Sequence, residues 1–191
     1  MILPFILGFF AKIVSGLDDA VTNVPLIASV AGTRGRKLFF SIGYFLAIGL
    51  AIAIAYFFSQ FLVNIPYYRI ILAMILFGLA GAIYLDLFVH EPKRKTEKLL
   101  KIKPKKALQV LGIGFITSFA TVIDDIAVFT PLFLENHMAK IAAVAGIILA
   151  AIIELHIVIH FSEKLERFKY KEELASIGLV IMALLLVFKI I

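Results

Sequence analysis

The chain has 191 residues but no cysteine and no tryptophan. The lack of cysteine excludes disulfides, thiolate metal sites and thiol redox chemistry. Charged residues are also scarce, at 17% of the chain. In their place 62% of the residues are hydrophobic, and the mean hydropathy is +1.05. A soluble domain averages about 45–50% apolar residues, so the composition indicates an integral membrane protein.

Six apolar runs predict an all-α, polytopic membrane protein with six transmembrane helices. Each run reaches or approaches the roughly 20 residues that a helix needs to cross the hydrocarbon core. The runs do not alternate as barrel strands would. The first run lacks the charged start and cleavage site of a signal peptide, so we expect it to remain as a span. The predicted spans are Ile2–Val30, Leu38–Val63, Ile70–Val89, Ala107–Leu134, Ile141–Phe161 and Leu174–Ile191.

The basic residues predict the orientation of these spans. Of the 19 Lys and Arg residues, fifteen lie in the loops after the first, third and fifth spans. Because cytoplasmic loops carry the excess of Lys and Arg, we expect these loops in the cytoplasm and both termini outside. The protein is then a multi-pass protein of the cell (inner or plasma) membrane. The net charge of +6 therefore reflects topology, and membrane lipid rather than nucleic acid is the expected partner.

A motif with two adjacent aspartates occurs twice inside these apolar runs. It reads [Ser/Thr]-x-[Leu/Ile]-Asp-Asp-x₅-Pro-Leu, over Ser15–Leu26 and again over Thr121–Leu132, with an offset of 106 residues. An aspartate at the centre of a membrane helix costs about 2.5–3.5 kcal/mol on insertion scales. A duplicated pair at matched spacing therefore predicts a duplicated site for a cation.

The same offset predicts a 3+3 inverted repeat. It relates spans one, two and three to spans four, five and six, and an odd number of spans per repeat makes the second half enter the membrane from the opposite side. Secondary transporters often have this plan, with their sites near the midplane on broken helices. The predicted units are a first repeat over 1–90, a basic cytoplasmic linker over 91–106 and a second repeat over 107–191.

The motif residues suit an oxygen-ligated metal site. Each proline removes a backbone donor, so we expect helices one and four to be broken or kinked at Pro25 and Pro131. Carboxylates, hydroxyls and freed carbonyls favour divalent cations such as Mn²⁺ or Ca²⁺. Clustered carboxylates at low dielectric are expected to hold protons until a metal displaces them. The predicted metal ligands are Asp18, Asp19, Asp124 and Asp125. The predicted auxiliary residues of the motif are Ser15, Thr22, Asn23 and Thr121, with the two hydroxyls at Ser15 and Thr121 able to donate to a carboxylate.

Three further polar residues lie in apolar spans. Glu154 is predicted to be a proton relay, an auxiliary ligand or a partner of another helix. His156 is also a predicted auxiliary ligand or proton relay, and it shares a helix face with His160, as a metal pair would. It is about 200° from Glu154 around the helix, so all three cannot converge on one regular helix. Lys12 is seven residues before Asp19, and it is either a snorkelling lysine or a tethered counter-cation for an acid. The glycines of the second and third spans, Gly43, Gly49, Gly78 and Gly81, are expected at close helix contacts.

The segment Gly16-Leu17-Asp18-Asp19 followed by the basic stretch 34–37 resembles the first motif of TerC-like membrane proteins. The stretch VIDDIAVFTPL resembles the second motif, and also the acidic motif of cadmium-resistance transporters. Both groups belong to the lysine-exporter (LysE) superfamily. Two departures are Asp19, where TerC members typically have asparagine, and Val122, where the motif has glycine. The resemblance implies export of a cation, often manganese, calcium or cadmium.

We therefore expect a secondary transporter, not an enzyme, that exports a divalent cation (Mn²⁺, Ca²⁺ or Cd²⁺) in exchange for protons. The alternatives are a passive cation channel and an intramembrane metal-dependent hydrolase using Glu154, His156, His160 and an aspartate. No permanently bound cofactor is expected. Because both motif helices are in one chain, a monomer or a homodimer would suffice.

Overall fold

The computed structural model describes residues 2–30, 33–85, 106–134, 136–166 and 171–188, with 17–30, 160–166 and 171–172 as backbone alone. These described residues form helices and contain no strand, which confirms the all-α prediction. The α-helices are α1 (Ile2–Val30), α2 (Arg34–Leu62), α3 (Tyr68–Tyr84), α4 (Ala107–Thr121), α5 (Ile123–Phe129), α6 (His137–Glu166) and α7 (Lys171–Val187). A 3-10 helix over Thr130–Phe133 follows α5.

Several of the helices are suited to a membrane by length and composition. Two helical segments are long and apolar enough to cross a membrane: α2, and the part of α6 over His137–Ile159. A third span results if α4 and the bent segment Ile123–Phe133 are counted together. Shorter apolar helices extend over Ile2–Gly16, Tyr68–Tyr84 and Glu173–Val187. Large hydrophobic side chains are exposed on all of these helices. An apolar outer surface of this kind is typical of a protein that faces lipid.

Polar side chains define where two of the helices begin. The Thr33 hydroxyl accepts a hydrogen bond from the Arg36 amide before α2. The Asn136 side chain accepts one from the Ala139 amide, at 2.9 Å, before α6. Both contacts satisfy backbone donors that a helix start leaves without an intrahelical partner.

The three most extensive helix pairs each join the first half of the chain to the second. α1 packs on α6, α2 packs on α4, and α3 packs on α7. α1 also contacts α5, so the two helices that carry the Asp-Asp pairs are neighbours. The halves are therefore interleaved rather than side by side.

Glycines allow two of these pairs to approach closely. A Cβ on Gly8 would overlap the Ala143 backbone of α6, and one on Gly114 would overlap the Phe40 backbone of α2. Gly8 and Gly114 are themselves 106 residues apart. Gly43, which lies against the backbone of α4, confirms one of the predicted close contacts.

The other three glycine predictions were wrong. A Cβ on Gly49, Gly78 or Gly81 would meet no atom within 4 Å among the described residues. These glycines lie on exposed helix faces, and sequence spacing does not distinguish an outward face from a buried one when both are apolar.

The fourth predicted span is bent by 55° between α4 and α5. The bend lies at Val122, where the Ser118 carbonyl accepts hydrogen bonds from both the Val122 amide, at 2.9 Å, and the Thr121 hydroxyl, at 3.0 Å. A threonine hydroxyl that bonds back to its own helix favours bending. The predicted break at Pro25 is wrong, since α1 is helical throughout Ile2–Val30, and membrane helices can accommodate a proline without ending. The bend of the fourth span lies nine residues before Pro131, where the chain continues as the 3-10 helix.

The close α1–α6 crossing leads to a stability prediction. Gly146→Ala would place a Cβ against the Phe5 and Phe9 backbone, so we expect the free energy of unfolding to fall by about 1–3 kcal/mol. Thermal melting of the helical circular-dichroism signal in detergent measures this change.

Gly49→Ala is the matched control, because its Cβ meets open space among the described residues. We expect this variant to be unchanged or more stable by up to about 1 kcal/mol through helix propensity. Equal destabilisation by both substitutions would contradict the assigned helix crossing.

Candidate functional site

A lysine is buried at the centre of the α1–α6 contact. The Lys12 side chain is 0% exposed. Its ammonium donates to Asp125 Oδ2 at 2.9 Å, and its Nζ lies 3.1 Å from Glu154 Oε2. The three charges come from α1, α5 and α6. We call these three residues the Lys12 cluster.

The snorkelling interpretation of Lys12 is therefore wrong. A snorkelling lysine keeps its ammonium in water, whereas this one is enclosed and bonded to carboxylates. The sequence suggested Asp19 as the partner because it is nearly two turns away on the same helix. The structure supplies acids 113 and 142 positions away in the sequence, from two other helices.

Gly16 makes room for the Lys12 cluster. A Cβ at this position would overlap the Glu154 carboxylate and would lie 3.1 Å from the Lys12 ammonium. Gly16 is one turn after Lys12 on α1, so the lack of a side chain lets the Glu154 carboxylate reach the helix surface. The glycine before the first Asp-Asp pair thus has a packing role in the site.

The cluster has capacity for more positive charge. With both acids ionised, one ammonium leaves a formal charge of −1. Asp125 Oδ1 is buried and has no hydrogen-bond donor among the described residues. The Tyr44 side chain, buried on α2, lies near the Glu154 carboxylate. A buried carboxylate oxygen without a donor is costly, and a bound cation or proton would relieve that cost.

The second Asp-Asp pair is divided between two environments. Asp125 is fully buried in the Lys12 cluster, whereas Asp124 is partly exposed and has interactions of its own. Adjacent residues on a helix point about 100° apart, which is why the two side chains have different surroundings. Asp125, rather than Asp124, is the member directed into the helix bundle.

The predicted hydroxyl ligands bond to their own helices. Ser15 donates to the Ala11 carbonyl at 3.0 Å, and Thr121 donates to the Ser118 carbonyl at 3.0 Å. Thr121 donates to no carboxylate among the described residues, contrary to expectation, because a helix carbonyl three residues back is already within reach. The expected acceptors of the Ser15 hydroxyl, Asp18 and Asp19, have side chains outside the described residues. The two hydroxyls nevertheless behave alike in both halves.

The first Asp-Asp pair lies on α1, but its side chains fall outside the described residues. The same holds for the other motif positions Thr22, Asn23 and Pro25. The predicted convergence of Asp18 and Asp19 with Asp124 and Asp125 therefore stays a prediction. Within the described part of the chain, no three His, Asp or Glu side chains gather to hold a metal ion.

Glu154 and His156 face different surroundings, as their angular separation predicted. Glu154 is buried in the Lys12 cluster, while His156 is exposed and has another interaction. The His160 side chain lies outside the described residues. This separation of Glu154 from His156 gives no support to the joint metal set that a hydrolase would need.

Sequence reasoning missed two buried polar residues, Tyr44 and Ser118. Tyr44 was not singled out, although it is a hydroxyl in the middle of an apolar run. Ser118 corresponds to Lys12 under the 106-residue offset, and its buried Oγ has no hydrogen-bond partner among the described residues. The offset itself would have pointed to Ser118, but not to its burial.

Comparison of the chain with protein-family models, curated proteins and solved structures finds no match. Functional inference therefore depends on the chemistry of the Lys12 cluster and the duplicated motif.

The role of Gly16 is testable through its coupling to Glu154. We expect Gly16→Ala to destabilise the protein, because the new Cβ displaces the Glu154 carboxylate. In a Glu154→Ala background that obstacle is absent, so the loss should be smaller by about 0.5–3 kcal/mol, the usual range for contacting residues. Circular-dichroism melting of the two single variants and the double variant measures the coupling. Additive effects would contradict the contact.

Proposed function

We propose that this protein is a secondary transporter that exports a divalent metal cation in exchange for protons. The observation that carries the proposal is the complete burial of Asp125, one of the duplicated acids, among charged residues from three helices. Ionisable residues inside membrane helices typically mark an ion or proton pathway. The cation is of the Mn²⁺, Ca²⁺ or Cd²⁺ type.

The transport plan is a six-span inverted repeat with both termini outside and the basic loops in the cytoplasm. The interleaved helix pairs support this plan. A two-fold axis that exchanges span one with span four, and span two with span five, brings the α1–α6 pair onto the α2–α4 pair. The pairing of glycines Gly8 and Gly114 at equivalent crossings is a second support. Transporters of this plan bind their substrate where the repeats meet.

The break at Val122 supports placing the site beside α5. Interrupted helices are tolerated at membrane depth where the backbone is buried in protein or lines a cavity. In this chain the interruption comes immediately before Asp124 and Asp125. Their equivalents Asp18 and Asp19, on the neighbouring helix α1, are further proposed metal ligands, and Glu154, which shares the Lys12 ammonium with Asp125, is an auxiliary one.

A passive cation channel is the main alternative, since a buried acidic site serves either activity. An exchanger must couple the two ions, whereas a channel dissipates the gradient of one. The amine of Lys12 at the acids favours the exchanger, because a fixed cation in an open pore would repel permeating cations. We therefore treat the channel as an outcome of the tests.

Neutralising the acids provides the first test. We expect Asp18→Asn, Asp124→Asn and Asp125→Asn each to abolish Mn²⁺ or Ca²⁺ flux, because an amide cannot supply the charge that desolvates a divalent ion. Flux into proteoliposomes that contain a metal-sensitive dye measures the effect, with expression and monodispersity checked for each variant.

The matched control is Glu173→Gln, which neutralises an exposed acid on α7. We expect its flux to equal that of the parent protein. Full flux in all three aspartate variants would refute the proposed site.

Proton coupling provides the second test. We expect an imposed pH gradient alone to drive cation flux against the cation's own concentration gradient, with protons moving in the opposite direction. Metal-sensitive and pH-sensitive dyes in the same liposomes measure both movements. A flux that follows only the cation gradient and the membrane potential would identify a channel instead.

A further inference from the structure

We propose that Lys12 is the resting occupant of the cation site, a tethered cation that the transported ion must displace from Asp125 and Glu154. The inference rests on the proposed function and deepens it by naming a competitor within the chain. It predicts that Lys12 regulates cation affinity rather than merely joining helices.

The geometry places the Lys12 ammonium where a bound cation would be. It bridges carboxylates from α5 and α6 at 2.9 and 3.1 Å. Gly16 keeps this space free of a Cβ. Removal of the ammonium would leave a buried gap lined by two carboxylates, with Asp125 Oδ1 already lacking a donor among the described residues.

Charge balance favours exchange over joint occupancy. Lys12 neutralises one of two carboxylates, whereas a divalent cation in its place neutralises both. With both cations present, the cluster would carry a formal charge of +1, and the two cations would repel each other strongly at low dielectric. A divalent ion and the Lys12 ammonium therefore compete for the same oxygens.

The chemistry of lysine suits a displaceable occupant. Its charge is a compact ammonium on a flexible four-carbon stem, unlike the planar fork of arginine, which holds carboxylates in fixed geometry. A side chain of this kind can leave the acids without a change in the helix backbone.

Competition of this kind has a consequence for transport. When a side chain of the protein occupies a binding site, the apparent affinity for the external ligand is reduced in proportion to the fraction of molecules whose site is free. After the cation leaves, the same lysine neutralises one carboxylate and a proton neutralises the other, so the return step carries the exchanged proton and no uncompensated charge. Lys12 would thus weaken binding while speeding the return step.

The test compares Lys12→Met, which keeps the length of the side chain but not its charge, with the parent protein. We expect the dissociation constant for Mn²⁺ or Ca²⁺, measured by calorimetry in detergent, to fall at least about tenfold, which corresponds to about 1.4 kcal/mol. We expect turnover in proteoliposomes to fall at the same time, because release and return become slow.

Two further variants sharpen the comparison. Lys140→Met removes a lysine whose Nζ lies 5.2 Å from the centroid of the Tyr56 ring and which is not part of the Lys12 cluster. This variant should leave both quantities unchanged. Lys12→Met with Glu154→Gln removes one carboxylate together with the ammonium, and should lose the gain in affinity. Retention of that gain in the double variant would overturn the inference.

The outcomes separate the two proposals. If the parent protein neither binds nor transports divalent cations, the proposed function fails and the inference falls with it. If the parent transports but Lys12→Met binds no more tightly, the inference alone fails. If Lys12→Met is folded only when Mn²⁺ or Ca²⁺ is added, as judged by size-exclusion chromatography, the competition is supported. If it is unfolded under all conditions, Lys12 is a structural ion-pair partner and the inference is overturned.

Discussion

The buried ammonium of Lys12 is the constraint on which the site depends. An ion removed from water without a partner costs several kcal/mol, and the loss is recovered only through close opposite charges. Lys12 meets this requirement with acids from two other helices. The positions of α1, α5 and α6 are therefore linked by charge as well as by packing. Burying three charges is weak evidence for stability in itself, which favours a functional reason for the cluster.

The face of α1 that meets α6 shows how packing and charge are combined. Gly8, Lys12 and Gly16 follow one another at four-residue intervals, so they form one stripe on the helix. The flanking glycines bring α6 against the backbone of α1, at Ala143 and at Glu154. The lysine between them is fully buried. The two glycines therefore account for both the close approach of α1 to α6 and the burial of the charge between them.

Several properties of the site follow from the sequence because they are local. The apolar runs, the doubled acidic motif and the opposed directions of Glu154 and His156 are consequences of composition and of the helical repeat. The partners of Lys12, the bend at Val122 and the bonding of Ser15 and Thr121 are not, because each depends on competition among nearby groups. Asp19 is seven residues from Lys12 on the same helix, yet the bonds of Lys12 to acids of two other helices follow only from the packed arrangement. The two hydroxyls bond to carbonyls of their own helices, three or four residues back.

The sequence alone determined that the chain is helical, apolar enough for a membrane and marked by a repeated acidic motif, because those properties depend on residue type and spacing. Tertiary structure decided which acid is enclosed, which glycines lie at crossings and where the fourth span bends. The physical reason is that the sequence of a uniformly apolar helix does not indicate which of its faces contacts other helices. A buried charge selects its partners by distance in space, and that distance exists only after the helices have packed.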